Sequence, residues 1–180
     1  GLGKSTNGGV SFSDLTNGLD LARTNWSTPY MLDPKIPGRL YLGSYKMHVL
    51  QSGSNTWSAI SGDLTRGANG RLGTITAISV APDGNNRVLY VGTDDAKLSV
   101  STNNGTSWSD VTGTLPRRYI TDVVADTSNP AVCYVTVSGY NLDETNAHIF
   151  RTTDYGQNWT DISGNMPDVP VNSLVIDYSR

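Results

Sequence analysis

Residues 101–108, "STNNGTSW", decide the fold because near-copies of this stretch occur at three other places in the chain. The copies are "STNGGVSF" at 5–12, "LQSGSNTW" at 50–57 and "TTDYGQNW" at 152–159, and each ends on an aromatic residue. The successive aromatic residues are 45, 51 and 51 positions apart. Self-similarity at such a period is typical of tandem structural repeats.

The residues shared by these copies are those of a tight turn. An Asn or Asp side chain accepts hydrogen bonds from N–H groups of its own turn, and Gly takes a positive φ without steric cost. The terminal aromatic residue predicts an anchor between sheets. The turn residues are Ser5, Asn7, Gly9 and Phe12; Ser101, Asn103, Gly105 and Trp108; and Thr152, Asp154, Gly156 and Trp159. The copy at 50–57 keeps Trp57 but has Ser52 and Ser54 where Asn and Gly are expected, so we expect the least regular turn there.

Short strand signals recur in phase with these turns. Runs such as "RLYLGSY", "VLYVGTD" and "VCYVTVS" precede each turn, an earlier apolar run precedes them, and a short strand follows the aromatic residue. Each unit therefore reads as four strands, which we call A, B, C and D. No stretch shows sustained helical periodicity, so we predict an all-β chain. A repeated four-stranded unit of this length is typical of a β-propeller blade, with a linear β-solenoid as the alternative.

The phase of the repeat divides the chain into one propeller segment spanning 1–180. Residues 1–15 end one blade, 16–63, 64–115 and 116–165 form three full blades, and 166–180 form the first strand of the next. A closed four-bladed ring would need one more strand than this count provides, and it stays the alternative. We expect an arc of a larger propeller whose remainder comes from the same polypeptide, a cleaved fragment or another subunit.

The turns resemble the Asp-box, or bacterial neuraminidase repeat, of sialidases, xyloglucanases, sortilin-type receptors and secreted bacterial surface proteins. The resemblance covers nearly the whole chain and implies a β-propeller at an extracellular or cell-surface location. It also implies that the turns are structural and lie on the face opposite the usual binding face. Asn7 and Asn103 stand where Asp is usual, which keeps the acceptor and removes the charge.

Composition excludes several classes of protein. The formal net charge is −3 and the basic residues are scattered, so the chain lacks the basic footprint of a nucleic-acid-binding protein. No apolar run approaches the length of a membrane span. Cys133 is the single cysteine, and His48 and His148 have no metal-ligand spacing, so we predict no metal and no cofactor.

The predicted binding surface is the rim formed by the D-to-A and B-to-C loops, where propellers usually bind ligands. Its candidate residues are Arg66, Arg71, Asp94, Asp95, Arg117, Arg118, Tyr119 and Tyr140. Several arginines could clamp a carboxylate, but the Tyr–Glu pair and Arg-Ile-Pro signature of sialidases are missing. Asp94 and Asp95 are consecutive and should point to opposite sides, which favours turn capping over paired catalysis. Arg39 and Arg87 recur at the start of B strands and predict a structural contact.

We therefore predict a non-catalytic extracellular or cell-surface scaffold that binds a protein or a glycan. Two alternatives stay open. One is an arc of a xyloglucanase-like or sialidase-like glycoside hydrolase with its catalytic carboxylates largely outside this chain. The other is an assembly factor of a membrane complex, which would use the rim arginines as a basic patch.

Overall fold

The structure is a computed structural model that describes residues 1–67, 72–139, 148–167 and 169–179. The predictions made for Arg71 and Tyr140 lie outside the described residues. Fourteen strands and no helix are present in the described residues, which confirms the all-β prediction. The strands form three four-stranded antiparallel sheets and one two-stranded sheet.

Each four-stranded sheet is an antiparallel meander whose strands follow chain order. The two-stranded sheet pairs β1 (Gly3–Lys4) with β2 (Ser13–Asp14). Sheet 1 contains β3 (Tyr30–Leu32), β4 (Leu40–Gly43), β5 (Met47–Leu50) and β6 (Trp57–Ala59). Sheet 2 contains β7 (Ile75–Asp83), β8 (Asn86–Thr93), β9 (Leu98–Ser101) and β10 (Ser109–Asp110). Sheet 3 contains β11 (Ile120–Ala125), β12 (Cys133–Val137), β13 (Ile149–Thr152) and β14 (Thr160–Asp161).

The core lies between successive sheets. One cluster joins Tyr41, Met47 and Val49 of sheet 1 to Ile75 and Leu89 of sheet 2. A second and larger cluster joins the opposite face of sheet 2 to sheet 3. Strands whose side chains alternate between two such interfaces are apolar on both faces, as the near-continuous burial of β8 shows.

Glycine sets how closely the sheets approach each other. A Cβ added to Gly92 at the end of β8 would lie 2.4 Å from a methyl carbon of Ile120, the first residue of β11. A Cβ on Gly43, at the end of β4, would lie 2.6 Å from the equivalent methyl carbon of Ile75. The two contacts repeat from sheet to sheet, so the glycine in the "LYLG" and "LYVG" runs is a packing residue.

The predicted A strand within 166–180 is not formed in the described residues 169–179, which are irregular. A strand requires a hydrogen-bonded partner, and no described B strand lies beside this segment. The segment nevertheless follows the repeat, because the Thr121 hydroxyl donates to the carbonyl of Val171 as the Thr76 hydroxyl donates to that of Ile120. Asp122 also accepts a hydrogen bond from the N–H of Leu174.

Candidate functional site

The meander places the two kinds of loop at opposite ends of each sheet. The A-to-B and C-to-D turns, which include the four repeated turns, lie at one end. The B-to-C and D-to-A loops lie at the other end and form the rim.

Three of the repeated turns share one hydrogen-bond arrangement. In the turn at 101–108, the Ser101 hydroxyl donates to Asn103 Oδ1 over 2.9 Å and accepts from the N–H of Gly105 over 2.9 Å. Asn103 Oδ1 also accepts from the N–H of Ser107 over 2.9 Å. Gly105 has a φ of 86°, which explains why glycine is needed there.

The same bonds recur in the turns at 5–12 and 152–159. The Ser5 hydroxyl and the Thr152 hydroxyl accept from Gly9 and Gly156 over 2.8 and 2.9 Å. Asp154 differs from the two asparagines because it holds the amide of Asn158 with its second oxygen, over 2.7 Å. That bond lowers the pKa of Asp154 below its ordinary value. The Ser or Thr hydroxyl and the Asn or Asp side chain of each of these turns are therefore engaged within the turn.

The tryptophans of the turns fasten each sheet to the one before it. The indole N–H groups of Trp57, Trp108 and Trp159 donate to the carbonyls of Leu15, Ile60 and Val111 over 2.8, 2.9 and 2.8 Å. Each acceptor is the residue that follows the D strand of the preceding sheet. The Phe12 side chain has no N–H group, and the residue is 69% exposed.

The turn at 50–57 is built differently, as its sequence predicts. The Ser52 hydroxyl donates to the carbonyl of Pro37 over 2.7 Å, and the Ser54 hydroxyl accepts from the N–H of Thr56 over 3.0 Å. These bonds replace the Ser–Asn–Gly arrangement, while Gly53 supplies a positive φ of 78°.

On the rim, Asp94 and Asp95 cap loops. Asp94 accepts from the N–H and the hydroxyl of Thr74 over 2.7 and 3.0 Å. Asp95 accepts from the N–H groups of Arg66 and Gly67 over 2.7 and 3.2 Å and from the Thr93 hydroxyl over 2.6 Å. The two carboxylates thus hold separate segments of the D-to-A loop to the B-to-C turn. This arrangement matches the turn-capping interpretation of the sequence.

Two of the predicted rim arginines are committed to internal contacts. The Arg66 guanidinium donates to the carbonyl of Ala96 over 3.2 and 3.0 Å. Arg118 is 4% exposed, and its Nη1 lies 3.3 Å from Nδ1 of the buried His148. Arg118 therefore does not present its charge on the rim surface.

Arg117 and Tyr119 are the predicted rim residues that face solvent. Arg117 is exposed and makes no hydrogen bond or ion pair with the described residues. Tyr119 is 38% exposed. They lie two residues apart in the loop that leads into β11, which bends at Arg117 where the N–H of Arg118 donates to the carbonyl of Pro116 over 2.8 Å. They offer one cation and one aromatic ring to a ligand.

The structure adds a cluster that the sequence did not reveal. The Asp20 carboxylate accepts from the Tyr45 hydroxyl and from Lys46 Nζ, the latter over 2.8 Å. Arg23 stacks on the Tyr45 ring, 4.0 Å from its centroid, and pairs with Asp63 on the loop after sheet 1. Tyr45 and Lys46 stand 25 and 26 residues after Asp20, so the sequence could suggest these contacts only through loop position and charge.

The opposite charges of this cluster pair with one another, and the pKa values of Asp20 and Asp63 are lowered as a result. The hydrogen bonds from Lys46 and Tyr45 hold the pKa of Asp20 well below its ordinary value. Burial alone would raise the pKa of Asp63, but hydrogen bonds from Thr65 and Arg23 outweigh it and lower that pKa. Carboxylates that stay ionised in this way are suited to structural pairing and not to donating a proton.

His48 lies beneath this cluster and is fully buried. Its Nε2 accepts from the N–H of Asp20 over 3.2 Å, so the ring proton resides on Nδ1, which has no hydrogen-bond partner among the residues that the structure describes. His148 is also buried, at 2% exposure. Both histidines belong to the interior, and His48 lies within strand β5.

Neither a metal centre nor a membrane span emerges from the described ranges. Within them, no group of three or more His, Cys, Asp or Glu side chains is arranged to hold a metal ion. A search of the same residues finds no helix with the length and apolar character needed to cross a bilayer. Cys133 is a free, buried thiol whose pKa burial raises, so it is inert.

No family model matches the sequence, and no curated protein matches it. Solved structures do resemble it. The GH74 xyloglucanase from Xanthomonas campestris is 23% identical over 80% of this chain and 24% of its own, with a TM-score of 0.54. YCF48 from Cyanidioschyzon merolae is 20% identical over 73% of this chain and 35% of its own, with a TM-score of 0.51.

A third solved structure is described as YCF48 bound to D1 peptide. It is 16% identical over 86% of this chain and 48% of its own, with a TM-score of 0.50. The chain thus spans from 24% to 48% of the length of these proteins. Such low identities establish the fold alone. Together with the three antiparallel four-stranded sheets, they show that this all-β chain has the β-propeller fold.

Proposed function

We propose that this chain is a non-catalytic part of a β-propeller and that its rim binds a protein partner. The observation that carries the proposal is that the rim carboxylates and two other rim residues differ in their contacts. Its described carboxylates cap loops or pair with cations, while Arg117 and Tyr119 face solvent. A solved neighbour described as bound to a D1 peptide supports a polypeptide ligand.

The chemistry of the two exposed residues defines the ligand class. An exposed guanidinium binds carboxylates in a bidentate manner, and an aromatic ring adds apolar contact area. We therefore expect an extended peptide segment that carries an acidic side chain next to an apolar one. By the family resemblance alone, we expect this partner outside the cell or at its surface.

A peptide display library tests the proposal. We expect selection on the wild-type chain to enrich acidic peptides that bind Arg117→Glu at least about tenfold more weakly, the value of a lost charged contact. Lys35→Glu reverses an exposed charge in the A-to-B turn at the other end of sheet 1 and should leave binding unchanged. Equal binding to wild type and Arg117→Glu would contradict the proposal.

A glycoside hydrolase is the second candidate, since a solved GH74 xyloglucanase has a similar fold. This candidate predicts new reducing ends when the chain is incubated with xyloglucan.

A membrane-complex assembly factor is the third candidate and shares the rim surface. For that candidate, charge reversal at Arg117 should weaken binding to the complex, whereas Arg118 is buried and would report on folding instead.

A further inference from the structure

A cleft of about 580 Å³ lies beside β6, the edge strand of sheet 1. One wall of the cleft is formed by residues 59–62, and the other wall is formed by residues 104–108, which belong to the repeated turn of sheet 2. This volume is within the range of ~300–1,000 Å³ that is usual for ligand sites. Both sheets have four strands, so the cleft lies at a junction between two whole units of the repeat.

Two contacts between the sheets hold the walls of the cleft together. A Cβ added to Gly105 would lie 2.9 Å from Cδ1 of Ile60, so the turn and the end of the strand touch there. The Trp108 indole N–H donates to the carbonyl of Ile60 over 2.9 Å, and the ring packs against the core cluster between sheets 1 and 2. Trp108 is half-buried and lines the cleft. A ligand therefore meets a ring whose orientation is already set, which keeps the ordering cost of binding small.

The lining of the cleft is polar and uncharged. Its described residues offer hydroxyl, amide and backbone groups, and none of them has an ionisable side chain. The Thr106 hydroxyl is exposed and makes no hydrogen bond within the part of the chain that the structure describes. The Ser107 hydroxyl accepts from Asn103 Nδ2 over 2.8 Å and keeps its own proton for a further bond. A ligand that matches this chemistry is neutral and carries several hydroxyl groups.

The indole of Trp108 favours a sugar ring among such ligands. The face of an aromatic ring is partly negative, and the C–H groups on one face of a pyranose are partly positive, so the two surfaces stack. A polypeptide usually binds through an anchor side chain in a desolvated pocket. This cleft is open to solvent and mostly polar, which suits a carbohydrate better than a peptide.

The chemistry of the cleft is specific to this junction and does not follow from the repeat. Asp110 occupies the position of Ala59 in the next sheet, as the strand pairing shows. Tyr155 occupies the position of Asn104, with a φ of 59° against 61°, and packs against the larger core cluster. The junction of sheets 2 and 3 therefore has a carboxylate and an aromatic ring where the cleft has a methyl group and an amide.

We propose that this cleft binds a neutral oligosaccharide. A sugar ring stacks on Trp108, and sugar hydroxyl groups bond to Thr106 and Ser107. Arg117 and Tyr119 of the rim do not line the cleft, so the proposal is independent of what the rim binds.

A panel of immobilised oligosaccharides tests the proposal. Cellohexaose, mannohexaose and xylohexaose are the neutral probes, and hexagalacturonate is the charged probe. We expect at least one neutral probe to bind and the charged probe to bind more weakly, since the lining supplies no cation for its carboxylates. Titration of the bound neutral probe should shift the amide NMR signals of residues 104–108 and the indole N–H signal of Trp108. The indole signal of Trp159, the equivalent residue in the next turn, should stay unchanged.

The variant Thr106→Val tests the predicted contact, because it removes the hydroxyl and keeps the shape of the side chain. We expect binding of the neutral probe to weaken about three- to tenfold, the value of one hydrogen bond. The matched control is Thr102→Val, which makes the same change at an exposed threonine of the same turn that does not line the cleft. It should leave binding unchanged. Both variants should keep the thermal unfolding midpoint of wild type, since both side chains are exposed.

Three outcomes would overturn the proposal. The first is that none of the neutral probes binds. The second is that a neutral probe binds but the shifted signals lie outside residues 59–62 and 104–108. The third is that Thr106→Val and Thr102→Val have equal effects on binding.

Discussion

Asp33 joins two sheets through a single buried carboxylate. Its side chain is 0% exposed and accepts from Arg87 Nε over 3.0 and 2.9 Å and from the N–H groups of Lys35 and Ile36. Burial alone would raise the pKa of Asp33, but these hydrogen bonds outweigh it and lower that pKa. Arg39 also reaches Asp33, at 3.6 Å, so both arginines singled out in the sequence meet one acceptor.

The Asp33–Arg87 pair should dominate the stability of this junction. Asp33→Asn leaves the Arg87 charge buried and uncompensated, so we expect the free energy of unfolding to fall by about 3–5 kcal/mol. Arg39→Met removes a longer and partly exposed contact and should cost less than about 1 kcal/mol. Denaturant titration measures both values. Similar losses for the two variants would show that Asp33 does not act mainly through Arg87.

His48 should make the stability of the chain depend on pH. Burial lowers the pKa of His48, so the folded state favours the neutral ring while the unfolded chain protonates near pH 6.5. The stabilisation is therefore present above about pH 6.5 and is lost as pH falls below it. Asp20 and Lys46 are the charged groups that act on the ring, with opposite effects on its pKa.

The test compares wild type with His48→Gln, which cannot acquire the charge. We measure the free energy of unfolding of each at pH 7.5 and pH 5.0. Wild type should lose more stability than the variant between these values. An equal loss in both proteins would assign the acid sensitivity to other groups.

At the scale of elements, the repeated turn does two separable things. The Ser–Asn–Gly hydrogen bonds close the hairpin, and the tryptophan N–H fastens it to the preceding sheet. The hydrogen bonds that close the hairpin could be predicted from the sequence, because every donor and acceptor lies within the eight residues of the turn. For the tryptophan, the sequence predicted an anchor between sheets but not its acceptor, since the carbonyl of Ile60 is 48 residues from Trp108.

The substitution Trp108→Phe measures the hydrogen bond between sheets separately from the bonds that close the hairpin. The substitution keeps an aromatic ring but leaves the carbonyl of Ile60 without its donor, so we expect a loss of about 1–2 kcal/mol in the free energy of unfolding. Phe12→Trp is the reverse change in a turn whose aromatic residue is 69% exposed and should alter stability by less than about 0.5 kcal/mol. A substantial gain from Phe12→Trp would mean that its N–H finds an acceptor elsewhere.

At the scale of the whole molecule, the phase of the repeat could be predicted and the use of the rim could not. Periodicity and turn chemistry depend on residues close together in the chain, and neighbouring strands of each sheet are also consecutive in the chain, so the strand order of the three sheets could be predicted. The capping bonds of Asp94 and Asp95, the burial of Arg118 and the cluster around Tyr45 depend on contacts between distant loops. The consecutive positions of Asp94 and Asp95 favour turn capping, but position in a loop shows neither the partners of a capping carboxylate nor the burial of an arginine.

The stacking of sheets also predicts how stability is distributed along the chain. Sheet 2 is covered on both faces, and residues 88–91 of β8 are 0% exposed. Both residues of β1 are exposed, and residues 169–179 contact β11 without forming a strand. In a repeat protein, each unit is stabilised mainly by its neighbours, so units with one covered face open more readily.

Native-state hydrogen exchange should therefore be slowest in β8 and at least about a hundredfold faster in β1 and in residues 169–179. The internal control is β12, the second strand of sheet 3, because residues 133–136 pair with strands on both sides as residues 89–92 of β8 do, and its inner face is equally buried. We expect β12 to exchange at a rate between those of β8 and β1, since one face of sheet 3 borders only the irregular segment. If β1 exchanged as slowly as β8, the chain would unfold as one unit, and the covering of individual faces would not govern local stability.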